Sequence, residues 1–266
     1  MTMTESDRWS ADLDLIRDAA RQAGEVALGF FGQSPEVWWK NADQSPVSAA
    51  DFAANDRLQA VLTAARPHYG WLSEETDDNP ARLSTETVFV VDPIDGTRGF
   101  INGATNWCVS VAVVHRGAPV AGVLFAPALG EEFSAVIDGP AQKNGAAISV
   151  ADHRPDDVFN IAASAEMVEK FEPEYRRLLS RVKHVPSLAY RLAMVADGRI
   201  DGTLVARNSH DWDLAAADLI LSRAGGSLVQ TDGSRLVYNR ETVKHATLFA
   251  GGRSVIESLL AQARSG

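Results

Sequence analysis

The chain has 266 residues, 45% of them hydrophobic, with a formal net charge of -10 and a single cysteine. That hydrophobic content supplies a large core, whereas the acidic balance disfavours a nucleic-acid backbone partner, which needs clustered Lys and Arg. One cysteine, Cys108 in the apolar stretch WCVSVAVV, excludes an intrachain disulfide and predicts a buried, inert thiol that fits a reducing cytoplasm. The opening stretch MTMTESDRWSADLDLIRDAARQ has early acids and no apolar segment of signal-peptide length, and no later run reaches a membrane span of about 20 apolar residues, so neither targeting nor membrane insertion is predicted.

Leu13, Ile16, Ala20, Ala23, Ala27 and Phe30 recur at spacings of three and four, which predicts an amphipathic helix stopping near Gly32. The tryptophans that follow, Trp38 and Trp39, are predicted to pack under this helix rather than to stack on a base. A second helix is predicted from an N-cap at Ser48, with Asp51 three residues on and Phe52, Leu58, Val61 and Leu62 on one face, to just before Pro67. Strand-like runs come next: WLS, VFVV, WCVSVAVVH, PVAGVLFAP and EEFSAVI. After about residue 150, strands at VFNIAAS, HVPS, DGTLVA, SLVQ and ATLFAGG alternate with helices near Glu166 to Ser180, Ser187 to Asp197, Trp212 to Ala224 and Ser254 to Arg264. The pattern predicts an N-terminal α+β half over 1–150 and a C-terminal α/β half over 151–266, sharing a cleft that suits a ligand.

Three acidic stretches sit at element boundaries: WLSEET with Glu74 and Glu75, VDPIDGT with Asp92 and Asp95, and HDWDLAAADL with Asp211 and Asp213. The strand VFVV runs straight into Asp92, and Pro93 and Gly96 turn the chain so that Asp92 and Asp95 stay close. Singly, these acids read as helix caps or solvated loop charges. Gathered from three turns, they suit a hard divalent cation such as Mg²⁺, and the backbone N–H groups at Gly96 and Thr97 suit a phosphate. His210 has no second histidine at zinc-ligand spacing and reads as a surface residue or a neighbour of the site. Nucleoside-triphosphate, dinucleotide and serine-esterase fingerprints are absent from the sequence.

WLSEE, VDPIDGTRGF and WDLAAADLILSRAGG resemble, in order and spacing over essentially the whole chain, the three signature stretches of the inositol monophosphatase superfamily. The resemblance implies a layered αβαβα sandwich and a Mg²⁺-dependent, lithium-sensitive phosphomonoesterase with two or three Mg²⁺ per active site. It assigns Glu74, Asp92 and the Ile94 carbonyl to a first metal, and Asp92, Asp95 and Asp213 to a second. Thr97 joins Glu74 in orienting the attacking water, Gly96 and Thr97 bind phosphate oxygens, and Asp51 helps hold a third metal and its water, with Lys40 as a weaker match. It also implies a small phosphorylated metabolite as substrate and a homodimer.

Substrate choice is carried by the edges of the site. Inositol phosphatases typically have an acidic residue seven positions before the aspartate of the third motif, where this chain has Ala206, followed by Arg207. Arg98 and Arg191 stand where bacterial 3′(2′),5′-bisphosphate nucleotidases have lysine, and KNADQSPVSAAD resembles a nucleotidase stretch. Arg98, Arg191 and Arg207 therefore predict a second phosphate on the substrate, as in 3′-phosphoadenosine 5′-phosphate. The alternatives are inositol 1-phosphate or histidinol phosphate as substrate, with Arg191 and Arg207 solvated or paired with acids such as Asp201. An alternative of another class is a non-catalytic regulatory binder on the same fold.

Overall fold

The computed structural model describes residues 4–33, 36–40, 45–153 and 157–263. Thr4 and Asp7 exchange side-chain and backbone hydrogen bonds in a capping box that opens α1 (Glu5–Phe30). A hairpin of β1 (Val37–Lys40) and β2 (Ser45–Ser48) leads into α2 (Ala49–Ala65), capped by Ser48 and Asp51 as predicted. One seven-stranded sheet follows in chain order: β3 (Gly70–Ser73), β4 (Thr87–Asp95), β5 (Cys108–His115), β6 (Ala118–Ala126), β7 (Glu131–Val136), β8 (Gln142–Lys143) and β9 (Ala146–Ala147). Only β3 and β4 run parallel, and α3 (Thr97–Ile101) is inserted after β4.

The second sheet contains β10 (Phe159–Ala162), β11 (Leu179–Arg181), β12 (Gly202–Val205), β13 (Ser227–Gln230) and β14 (Leu248–Gly251), in the spatial order β11-β10-β12-β14-β13. Its helices are α4 (Ala165–Glu169), α5 (Pro173–Arg176), α6 (Leu188–Ala196), α7 (Asp211–Arg223) and α8 (Arg253–Ala263). α1 and α2 cover one face of the first sheet, α6 and α7 lie between the two sheets, and α8 packs on the outer face of the second, giving the layered αβαβα sandwich.

β4 shows why its run is apolar on both sides. Val88 and Val90 point into the core between the sheets, while Phe89 and Val91 point into the core under α1 and α2, the period of two leaving no face for water. Cys108 is buried on the inter-sheet side, and burial pushes its thiol well above its ordinary range, as an inert cysteine requires. Among the described residues, no helix is long and apolar enough to cross a membrane.

Several expectations are corrected. Phe52 is exposed, because it lies about 240° around the helix from Leu58, and its ring meets the edge of Trp38 at 6.0 Å. Trp38 is itself 46% exposed and does not pack under α1. The helix predicted from Glu166 to Ser180 is split into α4 and α5 around Pro173, and Ser180 belongs to β11. HVPS is not a strand: Pro186 has no N–H to pair, and Ser187 caps α6 instead. Arg264 and the side chains of Trp39 and Lys40 lie outside the described residues.

Candidate active site

The site grows from an irregularity in β4. Its pairing with β5 shifts register between Asp92 and Asp95, where Pro93 offers no donor, so the strand bulges at its last residues. The bulge turns the Ile94 carbonyl away from the ladder to accept a hydrogen bond from the Thr97 hydroxyl at 3.0 Å. Gly96 then takes φ +96°, and a Cβ there would stand 3.1 Å from the Ser187 Cα and 3.2 Å from its nitrogen. Backbone conformation and lack of space both require glycine at this turn.

Four carboxylates around the turn are each held by a backbone N–H. Asp51 accepts from Ser48 at 2.8 Å, Asp92 from Ile94 at 3.0 Å, Asp95 from Ala189 at 2.6 Å and Asp213 from His210 at 2.7 Å. Capping and site-building are therefore the same interaction: one oxygen of each group is fixed by the main chain, which orients the whole carboxylate. Asp95 also accepts the Ser187 hydroxyl, so the turn is locked to the start of α6. Asp51 reaches further and accepts the Thr97 hydroxyl at 3.0 Å.

Glu74 from the end of β3, Asp92 from β4 and Asp213 from the first turn of α7 each bring an oxygen within 4.8 Å of the others. Asp95 stands beside this trio with its Oδ2 committed to α6. Burial raises Asp92 well above the usual carboxylate range, and the charges of Glu74, Asp95, Asp213 and Glu75 push it the same way. Asp95 is raised to about 7 by burial and by Asp213, against the opposing hydrogen bonds from Ser187 and the α6 backbone. Buried carboxylates this crowded need either protons or a cation, and an all-oxygen donor set fits a hard divalent ion.

Other predicted residues fall in different places. Arg191, on α6, is drawn below its ordinary range by burial and back up by Asp95, and its Nε has no hydrogen-bond partner. It lines a cavity of about 350 Å³ together with Arg181, Lys183, His184 and Ala206. Arg207 is exposed along a neighbouring groove of about 750 Å³, and Arg98 is exposed on α3, lining neither. Asp201 binds His153 Nε2 and the Asn160 N–H, each at 2.6 Å, and among the described residues it is not paired with Arg191 or Arg207. Asp211 is not part of the carboxylate set: fully buried, it accepts from His245 at 2.7 Å and the Asn239 N–H at 2.7 Å, anchoring that loop to α7. His210 stacks on Trp212 at 4.5 Å, next to Asp213.

Sequence reasoning missed Ser187 as a partner of Asp95 and missed Arg181, Lys183 and His184 as cavity residues. The N-cap of α6 was the legible signal for Ser187. Nothing local pointed to its partner, 92 positions away.

The family model described as the inositol monophosphatase family matches residues 10–265. A 3′(2′),5′-bisphosphate nucleotidase CysQ of Aggregatibacter actinomycetemcomitans is 32% identical over 233 residues, covering 85% of this chain and 86% of that protein. An inositol-1-monophosphatase of Mesorhizobium japonicum is 33% identical over 263 residues, covering 94% and 95%. The solved structure of the extragenic suppressor protein suhB of Bartonella henselae is similar with a TM-score of 0.83 at 27% identity, over 96% of this chain and 99% of that one.

Proposed function

The chain belongs to the inositol monophosphatase family and is a phosphoric monoester hydrolase, and from that premise we propose that it hydrolyses 3′(2′),5′-bisphosphate nucleotides such as 3′-phosphoadenosine 5′-phosphate with Mg²⁺. The observation that carries the substrate reading is the cavity lined by Arg191, Arg181, Lys183 and His184, whose lining includes no carboxylate. A monophosphate held at the carboxylate turn has no need of these groups. A second phosphate does, and an arginine can grip it with two parallel hydrogen bonds. From Val185 of the cavity lining the chain leads in two residues to Ser187, which bonds to Asp95, so the start of α6 joins the cavity to the carboxylate turn.

In this reading Glu74, Asp92, Asp95, Asp213 and the Ile94 carbonyl would hold two Mg²⁺, and Asp51 would contribute to a third. Bound Mg²⁺ supplies neutralisation of the phosphate charge and a lowered pKa for a coordinated water. The protein's own groups do the rest. Because the Thr97 hydroxyl donates to Asp51 or to Ile94 O, its lone pairs remain to accept a hydrogen bond from the attacking water, which Glu74 would help orient. The N–H groups of Gly96 and Thr97 receive phosphate oxygens. With no dedicated nucleophile in this set and Cys108 buried, the phosphoryl group passes directly to water.

The test is a side-by-side assay of adenosine 3′,5′-bisphosphate, inositol 1-phosphate and histidinol phosphate, with Mg²⁺ and with chelator. The bisphosphate should give the highest kcat/KM, and Arg191→Ala should lower it about tenfold to a hundredfold while sparing the monophosphates. A higher kcat/KM for either monophosphate overturns the substrate reading and leaves the phosphatase in place. The same reading carries lithium inhibition at high Mg²⁺, checked by lithium titration, and a cytoplasmic homodimer, whose mass light scattering reports.

A further inference from the structure

We propose that Asn55 is a positioning residue for Glu74, an inference that rests on the reading of Glu74 as a metal ligand under the proposed function. Asn55 lies on α2 one turn beyond Asp51, on the stripe that Leu58 and Leu62 continue into the core, and it is only 4% exposed. A polar amide in such a place is costly unless both of its ends are used, and here both are. Its Oδ1 accepts from the Ser73 hydroxyl at 2.7 Å, and its Nδ2 donates to the Thr76 hydroxyl oxygen at 3.4 Å. Ser73 and Thr76 bracket Glu74 and Glu75, so one side chain ties both ends of the segment SEET.

The hydrogen bonds of the segment connect to that amide. Ser73 Oγ accepts the Glu75 N–H at 3.3 Å, while the Glu74 N–H donates to the Val91 carbonyl at 3.2 Å and continues the pairing of β3 with β4. Thr76 Oγ1 also accepts the Trp71 Nε1–H at 3.3 Å, which leads back to β3. One helix therefore serves two sides of the site: Asp51 accepts the Thr97 hydroxyl after β4, and Asn55, one turn on, holds the segment that carries Glu74 after β3. The rigid pitch of α2 fixes the offset between those two attachments. An amide does this without adding charge. A carboxylate at position 55 would place a further negative group beside a segment that already carries two, and an apolar side chain would leave the Ser73 hydroxyl without its acceptor.

The test measures Mg²⁺ binding by calorimetry, without substrate, and the Mg²⁺ requirement for phosphate release from whichever of the three phosphates assayed above is turned over best. Asn55→Ala should raise the Mg²⁺ dissociation constant and the half-saturating Mg²⁺ about tenfold. At saturating Mg²⁺, kcat and the substrate KM should each stay within about twofold of the wild type. Thr76→Val, a milder change at a partly buried position, should weaken Mg²⁺ binding in the same direction, and Thr76→Ser, which keeps the hydroxyl, should restore it. Leu58→Ala supplies the control: it empties a fully buried position on the same helix, so the melting temperature should fall while Mg²⁺ affinity holds. Mg²⁺ affinity unmoved in Asn55→Ala and Thr76→Val, whatever happens to kcat, or weakened as much by Leu58→Ala, makes Asn55 a satisfied core amide and overturns the proposal. Absence of Mg²⁺ binding and of chelator-sensitive activity in the wild type removes the reading of Glu74, and the proposal with it.

Discussion

The Ser187 hydroxyl donates to the Asp95 carboxylate, which joins the N-terminus of α6 to the turn after β4. Arg191 lies one turn further along the same helix, with its backbone N–H bonded to the Ser187 carbonyl at 3.1 Å. A short rigid path therefore connects a carboxylate of the site to the cation of the neighbouring cavity. Ser187→Ala removes one of the bonds that oppose the raised pKa of Asp95, and it also removes the cap of α6. The variant should lose about 1 kcal/mol of stability and about tenfold in kcat, with the acid limb of its pH-rate profile moved upward. Ser187→Thr, which keeps the hydroxyl, should restore most of both. An unchanged pH profile in Ser187→Ala would reduce the residue to a cap.

Asp92 is fully enclosed among like charges, so its contributions to stability and to catalysis have opposite signs. Asp92→Asn keeps the shape and the acceptor for Ile94 while removing the repulsion. In chelator the variant should melt about 2–4 °C above the wild type, whereas phosphate release in Mg²⁺ should fall by about a thousandfold or more. Melting and activity falling together would mean that the carboxylate serves the fold.

The same crowding sets a pH dependence. Asp95 lies at about 7 in the folded protein against an ordinary 3.8, and Asp92 is raised in the same direction. Between about pH 4 and pH 7 the folded chain therefore binds more protons than the unfolded chain, so the stability of the metal-free protein falls as pH rises through that window. A bound divalent cation would replace the proton as the neutralising partner. Differential scanning in chelator should show melting temperatures declining from about pH 5 to about pH 8, and the gain on adding Mg²⁺ should be larger at about pH 8. A melting temperature in chelator that holds level across this range would contradict the assignment.

What could be read from the sequence divides by range of interaction. The stretch VFVVDPIDG announces a buried strand, a donor-free bulge and a turn within nine residues, and the capping box of Ser48 and Asp51 is equally local. Phe52 was misplaced because apolar identity was taken for position on the apolar face, although its angle around the helix puts it beside Trp38. β11 escaped notice because it is a three-residue edge strand, LSR, with a single apolar residue and one partner, β10. Ser187 and Asp95, or Arg191 and the residues sharing its cavity, are brought together only by the stacking of two sheets on α6 and α7, which no local pattern encodes.

That stacking itself depends on one close approach. α7 presents the small residues Ala215, Ala216 and Ala217, all fully buried, and Gly122 of β6 lies against Ala216. A Cβ at position 122 would stand 3.0 Å from the Ala216 Cα and 3.1 Å from its carbonyl oxygen, and these are backbone atoms that cannot swing aside. Gly122→Ala must therefore displace α7 by a few tenths of an ångström, at a cost of about 1–2 kcal/mol. Asp213 lies three residues before Ala216 in the first turn of the same helix, where the His210 N–H and the Trp212 carbonyl, bonded to Ser110 on β5, fix its place opposite Asp92 and Glu74. Moving the helix pulls one oxygen of the trio out of register with the two that remain on the first sheet. The variant should need several times more Mg²⁺ for half-maximal activity, read from a Mg²⁺ titration at saturating substrate, while keeping a cooperative melt. A lowered melting temperature with an unchanged Mg²⁺ requirement would show that the displacement is absorbed before it reaches the first turn of α7.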